Sequence, residues 1–370
     1  MTADQRQQWK ARWRKLAVMF VSACVTLVGL EAAVRIRQYI KYGSMRNTVF
    51  KTTVDPKSGL AVPVPGQITR SIRINSRGFR SPELAVPKPA GRIRLAFLGA
   101  STTFCAEVSG NEATWPYLVW KKLQSTWPES AFDFVNAGVP GYTVAESLLN
   151  LEYRVAPLQP DVIIIYHASN DLTLDTRELA MKQGLIAGKP GDPSKLARMS
   201  LLWYLVEKNL QIMARKNAAA AAGGHLVFDP PTLSLGFREK LRGLVEVSQK
   251  TASVVALATF SHRARRDQSR EEQSQACLSS FYYMPYMSTE GILAGYEKYN
   301  DRIREVAHET GAILIGGEDK IPGDAIHFND SVHFKDAGSE LMARRVANAL
   351  TQSTAFRSLV ASRQHELQRH

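Results

Sequence analysis

The sequence predicts an α/β protein: a three-layer α/β/α domain around a five-stranded, mostly parallel sheet, behind one N-terminal transmembrane helix. Two observations carry this reading. Five short apolar runs alternate with helical stretches, and such alternation builds a parallel sheet covered on both faces. A longer uncharged run precedes them all, near the start of the chain. The 370 residues have room for one large domain or two modest ones. Hydrophobic and charged contents of 45% and 22% are those of an ordinary globular protein.

Residues 1–15 form a basic tail. Leu16–Leu30 carries no charge, and Glu31-Ala-Ala-Val34 extends the run to nineteen residues with a single acid. About 20 apolar residues span a bilayer, so 16–34 is read as a transmembrane anchor. Val21-Ser-Ala-Cys24 resembles a lipoprotein cleavage box, which would make Cys24 an acylated first residue. The apolar run continues past Cys24 without a polar tether, which favours the uncleaved anchor. Residues 35–90, rich in Pro, Gly and Arg, read as a connecting region. Within it Ile68–Ile74 alternates enough for a strand or two.

Residues 91–350 hold the alternation. Strands are read at Leu95–Leu98, Phe132–Val135, Val162–Tyr166, Val254–Thr259 and Ile313–Ile315. Their near-continuous apolar character is that of strands buried on both faces. Helices are read at Trp115–Trp127, Ala145–Val155, Gly236–Thr251, Tyr296–Glu309 and Ala337–Leu350. Two insertions, 172–234 and 261–291, follow strand ends. The first contains an amphipathic stretch (Leu201, Leu202, Leu205, Val206, Leu210, Met213), and the second runs from Arg263–Arg270 into the aromatic Phe281–Met287. Both read as surface loops with a packed helix, a lid or acyl-binding wall being the alternative. Residues 351–370 read as a polar tail.

The net charge of +13 does not call for nucleic acid. Basic residues are dispersed except around the anchor, where cationic flanks are expected, and at Arg263–Arg270, which reads as a solvated loop. The three cysteines, Cys24, Cys105 and Cys277, make no disulfide framework; Cys105 and Cys277 either pair or remain two buried thiols. No metal-ligand spacing occurs, and no cofactor is expected.

In an open parallel sheet the ligand site lies beyond the carboxyl ends of the strands. The first strand stops at Gly99, and Ser101 follows where the pattern turns helical. A serine there has its hydroxyl at the mouth of the sheet and its N–H at a helix start, which suits a nucleophile whose attack creates an oxyanion. Asn136-Ala-Gly-Val-Pro-Gly-Tyr-Thr143 follows the second strand, and its glycines free backbone N–H groups to point outward. His167-Ala-Ser-Asn-Asp171 follows the third, where Asn170 offers two N–H donors without a charge. Asp171 is expected to brace the turn by local hydrogen bonds. His167 and His262 read as structural. Near the C-terminus, Asp330 and His333 stand three apart, so one turn lets the carboxylate orient the imidazole. His327 has only Asp324 at that spacing, and His333 is preferred as the base. A Gly-x-Ser-x-Gly elbow is absent, because Thr102 and Thr103 follow Ser101.

These four segments, in this order, resemble the blocks of the SGNH, or GDSL-like, hydrolase superfamily over roughly residues 70–350, in a membrane-anchored branch with Gly-x-Ser-Thr-Thr. The resemblance implies a flavodoxin-like sheet, Ser101 as nucleophile, Asp330 and His333 completing the triad, and Ser101, Gly141 and Asn170 as the oxyanion hole. Gly-Ala-Ser replaces the usual Gly-Asp-Ser, and Ala168-Ser-Asn-Asp the usual Gly-x-Asn-Asp. Neither change removes a catalytic side chain. The implied function is a membrane-anchored serine esterase acting on an acyl ester of a cell-envelope glycan or lipid. An O-acyltransferase of surface polysaccharide and a non-catalytic polysaccharide-binding or assembly factor are the alternatives. The expected location is the bacterial inner membrane, single-pass, with the catalytic domain outside. Five basic residues precede the span and five follow it (Arg35 to Lys51), so flanking charge leaves the orientation open.

Overall fold

In a computed structural model of the chain, residues 3–42, 50–186, 193–221 and 225–368 are described. The chain divides into two compact units, Met1–Val49 with Lys189–Met213, and Phe50–Gly188 with Ala214–His370.

In the first unit α1 (Ala3–Tyr42) extends the expected span at both ends. Its middle is apolar all round, with Leu16, Phe20, Val25 and Val28 exposed. Asp4–Ile40 is long and apolar enough to cross a membrane. The unit also holds α6 (Lys195–Met199) and most of α7 (Leu201–Ala221). The corner between them is fastened to α1. Glu31 accepts hydrogen bonds from Leu201 N (3.0 Å), Leu202 N and Ser200 Oγ (both 2.8 Å). Arg35 pairs with Glu31 and donates to Met199 O at 2.8 Å.

The second unit opens with β1 (Thr52–Val54) and β2 (Ala61–Pro63), an antiparallel pair in what the sequence presents only as a connector. The expected strand at Ile68–Ile74 is reduced to one bridge, Ile68 to Arg73. The main sheet follows: β3 (Ile93–Gly99), β4 (Phe132–Asn136), β5 (Val162–Tyr166), β6 (Val254–Ala258) and β7 (Ile313–Ile315). Their order is β4-β3-β5-β6-β7, and all four pairings are parallel. This is the flavodoxin-like order, whose switch point falls between β3 and β5.

The connections are α2 (Ser101–Phe104) and α3 (Trp115–Thr126) after β3, and α4 (Val144–Asn150), continued by a π turn to Val155, after β4. After β5 comes α5 (Ser169–Lys182), and before β6 lie α8 (Pro230–Leu233) and α9 (Leu235–Thr251). The boundary expected at 172 therefore falls inside a helix. Between β6 and β7 run α10 (Arg270–Ala276), α11 (Leu278–Tyr283) and α12 (Thr289–Thr310); α13 (Asp336–Gln352) and α14 (Thr354–Gln368) follow β7. The 351–370 segment is thus mostly helix rather than a polar tail. Phe356 is buried between Trp127 and Phe132, with ring centroids 5.6 and 6.4 Å away.

Asp161, at the foot of β5, gathers three elements. It accepts from Arg94 N (2.8 Å) and pairs with Lys88 (2.7 Å) and Arg363 of α14 (2.8 Å). Arg94, fully buried within β3, is matched by Asp133 at 2.8 Å and by the carbonyls of Leu158 and Ala85. A buried cation is tolerated only with such complete pairing.

At the other end of β3 the backbone is crowded. A Cβ on Gly138 would lie 2.6 Å from Phe104 N and 2.9 Å from Thr103 C, and one on Gly99 would lie 2.8 Å from Tyr166 O. Gly138→Ala is expected to cost about 1–3 kcal/mol in urea titrations, the usual penalty for overpacking. Gly110→Ala serves as control, because its Cβ would meet open space and its φ of −172° suits any residue. Equal stabilities would contradict the close approach.

Candidate active site

Ser101 opens α2 immediately beyond β3. This single turn is held by donors to its carbonyls: Cys105 N to Ser101 O (2.8 Å), Trp115 Nε1 to Thr102 O (3.0 Å), Asn136 Nδ2 to Thr103 O and Arg80 Nη1 to Phe104 O (both 2.9 Å). Unmet carbonyls at a helix end are costly, so these four bonds fix the turn. Ser101 N–H donates to no described residue.

His333 Nε2 lies 2.8 Å from Ser101 Oγ, and its Nδ1 lies 2.7 Å from Asp330 Oδ2. The other carboxylate oxygen accepts from Val332 N (3.0 Å) and His333 N (2.9 Å), an Asx turn that holds the pair in register. The carboxylate fixes Nδ1 as the protonated nitrogen, which leaves Nε2 of the neutral ring to accept from the Ser101 hydroxyl. Burial works against charge on Asp330, but the hydrogen bond from His333 and the backbone donors hold its pKa below the usual carboxylate range. Burial likewise opposes the imidazolium. The carboxylates of Glu107 and Asp330 outweigh it and push His333 up to about 9.

Asn170 sits in the first turn of α5 and donates through Nδ2 to Tyr142 O at 2.9 Å, which ties it to the Gly141 loop. Gly141 takes φ +91°, where a side chain would be strained, and its N–H also donates to no described residue. The loop rests on β2, for Tyr142 Oη donates to Ala61 O at 2.8 Å. Two N–H groups of the backbone and the second Asn170 amide hydrogen are therefore free to meet an anion.

Several neighbours have partners that the sequence alone did not show. Asp171 braces no local turn; its Oδ1 accepts from Val144 N at the start of α4, 3.0 Å away. Its other oxygen is buried without a partner, and burial raises its pKa to about 7. His167 is 3.8 Å from that oxygen but forms no ion pair, since burial lowers its pKa to about 4. It bonds instead to Ser147 Oγ at 2.7 Å. His262, also buried, stacks on Tyr296 with centroids 4.5 Å apart. His327 repeats the Asp-x-x-His geometry with Asp324 at 2.8 Å, without reaching Ser101. Cys105 and Cys277 are buried, free thiols whose pKa burial pushes up to about 12. In the Arg263–Arg270 cluster Arg266 and Arg270 are exposed, as a solvated loop would have them, while Arg265 donates to Ile321 O (2.8 Å) and Arg266 also pairs with Glu290 and Glu297 (both 2.6 Å). A charged cleft of about 620 Å³ beside these arginines does not include Ser101 or His333. Among the described residues no cluster of His, Cys, Asp or Glu could hold a metal ion.

Glu107 escaped the sequence reading. Its Oε2 is buried without a hydrogen bond, and its charge bears on His333. The loop that carries it is tied to α13, just past His333, by Ser109 N donating to Asp336 Oδ1 at 2.8 Å. The only hint in the sequence is an acid a few residues past the candidate nucleophile.

The GDSL-like lipase/acylhydrolase family model matches residues 97–341, and the chain belongs to that family. It is an enzyme of the serine-hydrolase type, acting on acyl esters. No curated protein matches it in sequence. Among solved structures, an acetylxylan esterase from Geobacillus stearothermophilus is 18% identical, covering 70% of this chain and 93% of that one, with TM-score 0.41. An α/β hydrolase enzyme from the metagenome of Lake Arreo, Spain, is 17% identical, covering 72% and 97%, with TM-score 0.43.

Because the folded pKa of His333 exceeds its ordinary 6.5, its proton contributes stability that is whole below pH 6.5 and lost as pH rises to about 9. NMR titration should find the His333 ring titrating near 9. Glu107→Gln removes a favourable charge and should move that titration downward. An unchanged titration would mean that Glu107 does not act on the ring.

Proposed function

We propose that the chain cleaves an acyl ester through an acyl-serine intermediate. Ser101 Oγ attacks the ester carbonyl while His333 Nε2 takes its proton, and Asp330 steadies the imidazolium. The oxyanion is met by the N–H groups of Ser101 and Gly141 and by the Asn170 amide. His333 then gives its proton to the departing alcohol. In the second half, water attacks the acyl carbon while His333 takes its proton, and the acyl–Oγ bond breaks as His333 returns that proton to Ser101 Oγ and the acid leaves. The carrying observation is the 2.8 Å hydrogen bond between Ser101 Oγ and His333 Nε2, continued to Asp330.

The substrate we infer is an acyl, in particular acetyl, ester on an envelope glycan or lipid. The chain is held at the bacterial inner membrane by α1, with the catalytic unit on the extracytoplasmic side. This reading is supported by a helix apolar on every face, flanked by Trp9 and Trp13 at one end and Arg35 and Arg37 at the other.

Ser101→Ala should abolish hydrolysis of p-nitrophenyl acetate and labelling by a fluorophosphonate; undiminished activity would refute the assignment. Asn170→Ala should lower turnover about 100- to 1,000-fold, the usual cost of one oxyanion donor. Since His333 must be neutral to accept a proton, kcat/KM should climb with pH through about 9. Mass spectrometry of acetylated glycan with and without Ser101 distinguishes acyl loss to water from transfer to a second sugar. Protease added to intact spheroplasts should digest the 91–350 region. Digestion only after permeabilisation would place it in the cytoplasm and end the envelope-substrate reading.

A further inference from the structure

Glu31 is an acid inside an otherwise uncharged stretch. An ionised side chain at that depth needs partners, and such residues are costly without them. Its partners come from far along the chain: Ser200 Oγ and the N–H groups of Leu201 and Leu202, which are orphan donors at the start of α7. Arg35 neutralises the carboxylate and reaches Met199 O. The clasp therefore meets the needs of both elements at once.

The clasp also sets a level. Glu31 is three residues short of Val34, so it stands about 4.5 Å along the axis inside the end of the apolar stretch. The polar headgroup zone is about 5–8 Å deep on each side of the hydrocarbon. A corner bound directly to Glu31 and Arg35 thus lies at the boundary between acyl chains and headgroups. The outward side chains of that corner have the matching character. Leu196, Met199, Trp203 and Val206 are exposed, Met199 by 77%, and exposed Lys195 and Arg198 stand among them. Apolar and aromatic groups interleaved with cations are what a headgroup boundary accepts.

We propose that the α6–α7 corner is a second membrane contact, with Leu196, Met199, Trp203 and Val206 dipping into the leaflet beside α1 and Lys195 and Arg198 meeting lipid phosphates. This rests on the reading that α1 spans the bilayer.

The test uses the full-length protein with Cys24→Ser, in nanodiscs containing anionic phospholipid. Spin labels are placed singly at Met199→Cys and Leu196→Cys, with Val21→Cys on α1 as the deep reference and Glu178→Cys on α5 as the aqueous one. Retained esterase activity verifies folding. The expected result is that labels at 196 and 199 are relaxed by oxygen and shielded from a water-soluble nickel chelate, at shallower depth than 21. If 196 and 199 are as open to nickel as 178 while 21 stays in lipid, the second contact is refuted and the anchor stands. Should 21 also be open to nickel, the spanning reading falls and the proposal with it. Dipolar broadening at 199 between copies, with shielding from both reagents, would identify a second copy of the chain as the occupant and overturn the lipid contact.

Discussion

The close approach of the β4–α4 loop to the turn after β3 is the constraint on which the site depends. Gly138 comes near enough to Thr103 and Phe104 that no side chain fits between them. That proximity lets Asn136 close the turn through Thr103 O, and lets Val139 N donate to Gly99 O at 3.1 Å. A larger residue at Gly138 or Gly99 would push the turn that carries Ser101 away from the β4–α4 loop or from β5. The switch point of the sheet supplies the crevice; the two glycines make it narrow.

Around this constraint lies a supporting layer drawn largely from outside the proposed catalytic residues. Arg80, from the segment before the sheet, donates to the carbonyl that ends the turn, and β2 underpins the Gly141 loop through Tyr142. Removing the proline-rich segment would thus leave unsatisfied carbonyls directly beneath Ser101. Asp171 plays a similar part from the other side, holding the start of α4 against α5. The catalytic unit is continuous with what precedes it.

The main sheet was legible in the sequence because strands buried on both faces leave unbroken apolar runs, and Val162–Tyr166 and Ile313–Ile315 fall where expected. β1 and β2 were not, since three-residue strands with exposed Thr52, Thr53 and Ala61 carry no such signature. α14 was missed for a related reason: its burial rests mainly on Phe356 and Val360 amid polar neighbours. At the site, Asp330 and His333 were readable because their geometry is local. Glu107 was not, because its place beside His333 is set by a bond between Ser109 and Asp336, 227 residues apart. The reach of Asp171 to Val144 was hidden in the same way. The Glu31 clasp shares this character, for nothing near Glu31 announces Ser200.

The clasp between Glu31, Arg35 and the 199–202 corner has one more consequence. The chain passes between its two units three times, near residues 49, 188 and 213. A single peptide-bond scission between α1 and β1 would therefore not by itself part α1 from the rest of the chain. The inserted segment would still grip the severed helix through its hydrogen bonds and ion pair. Release would demand a second event, either another cut or the breaking of those polar bonds. Attachment of α1 to the rest of the chain would then be an equilibrium property as well as a covalent one.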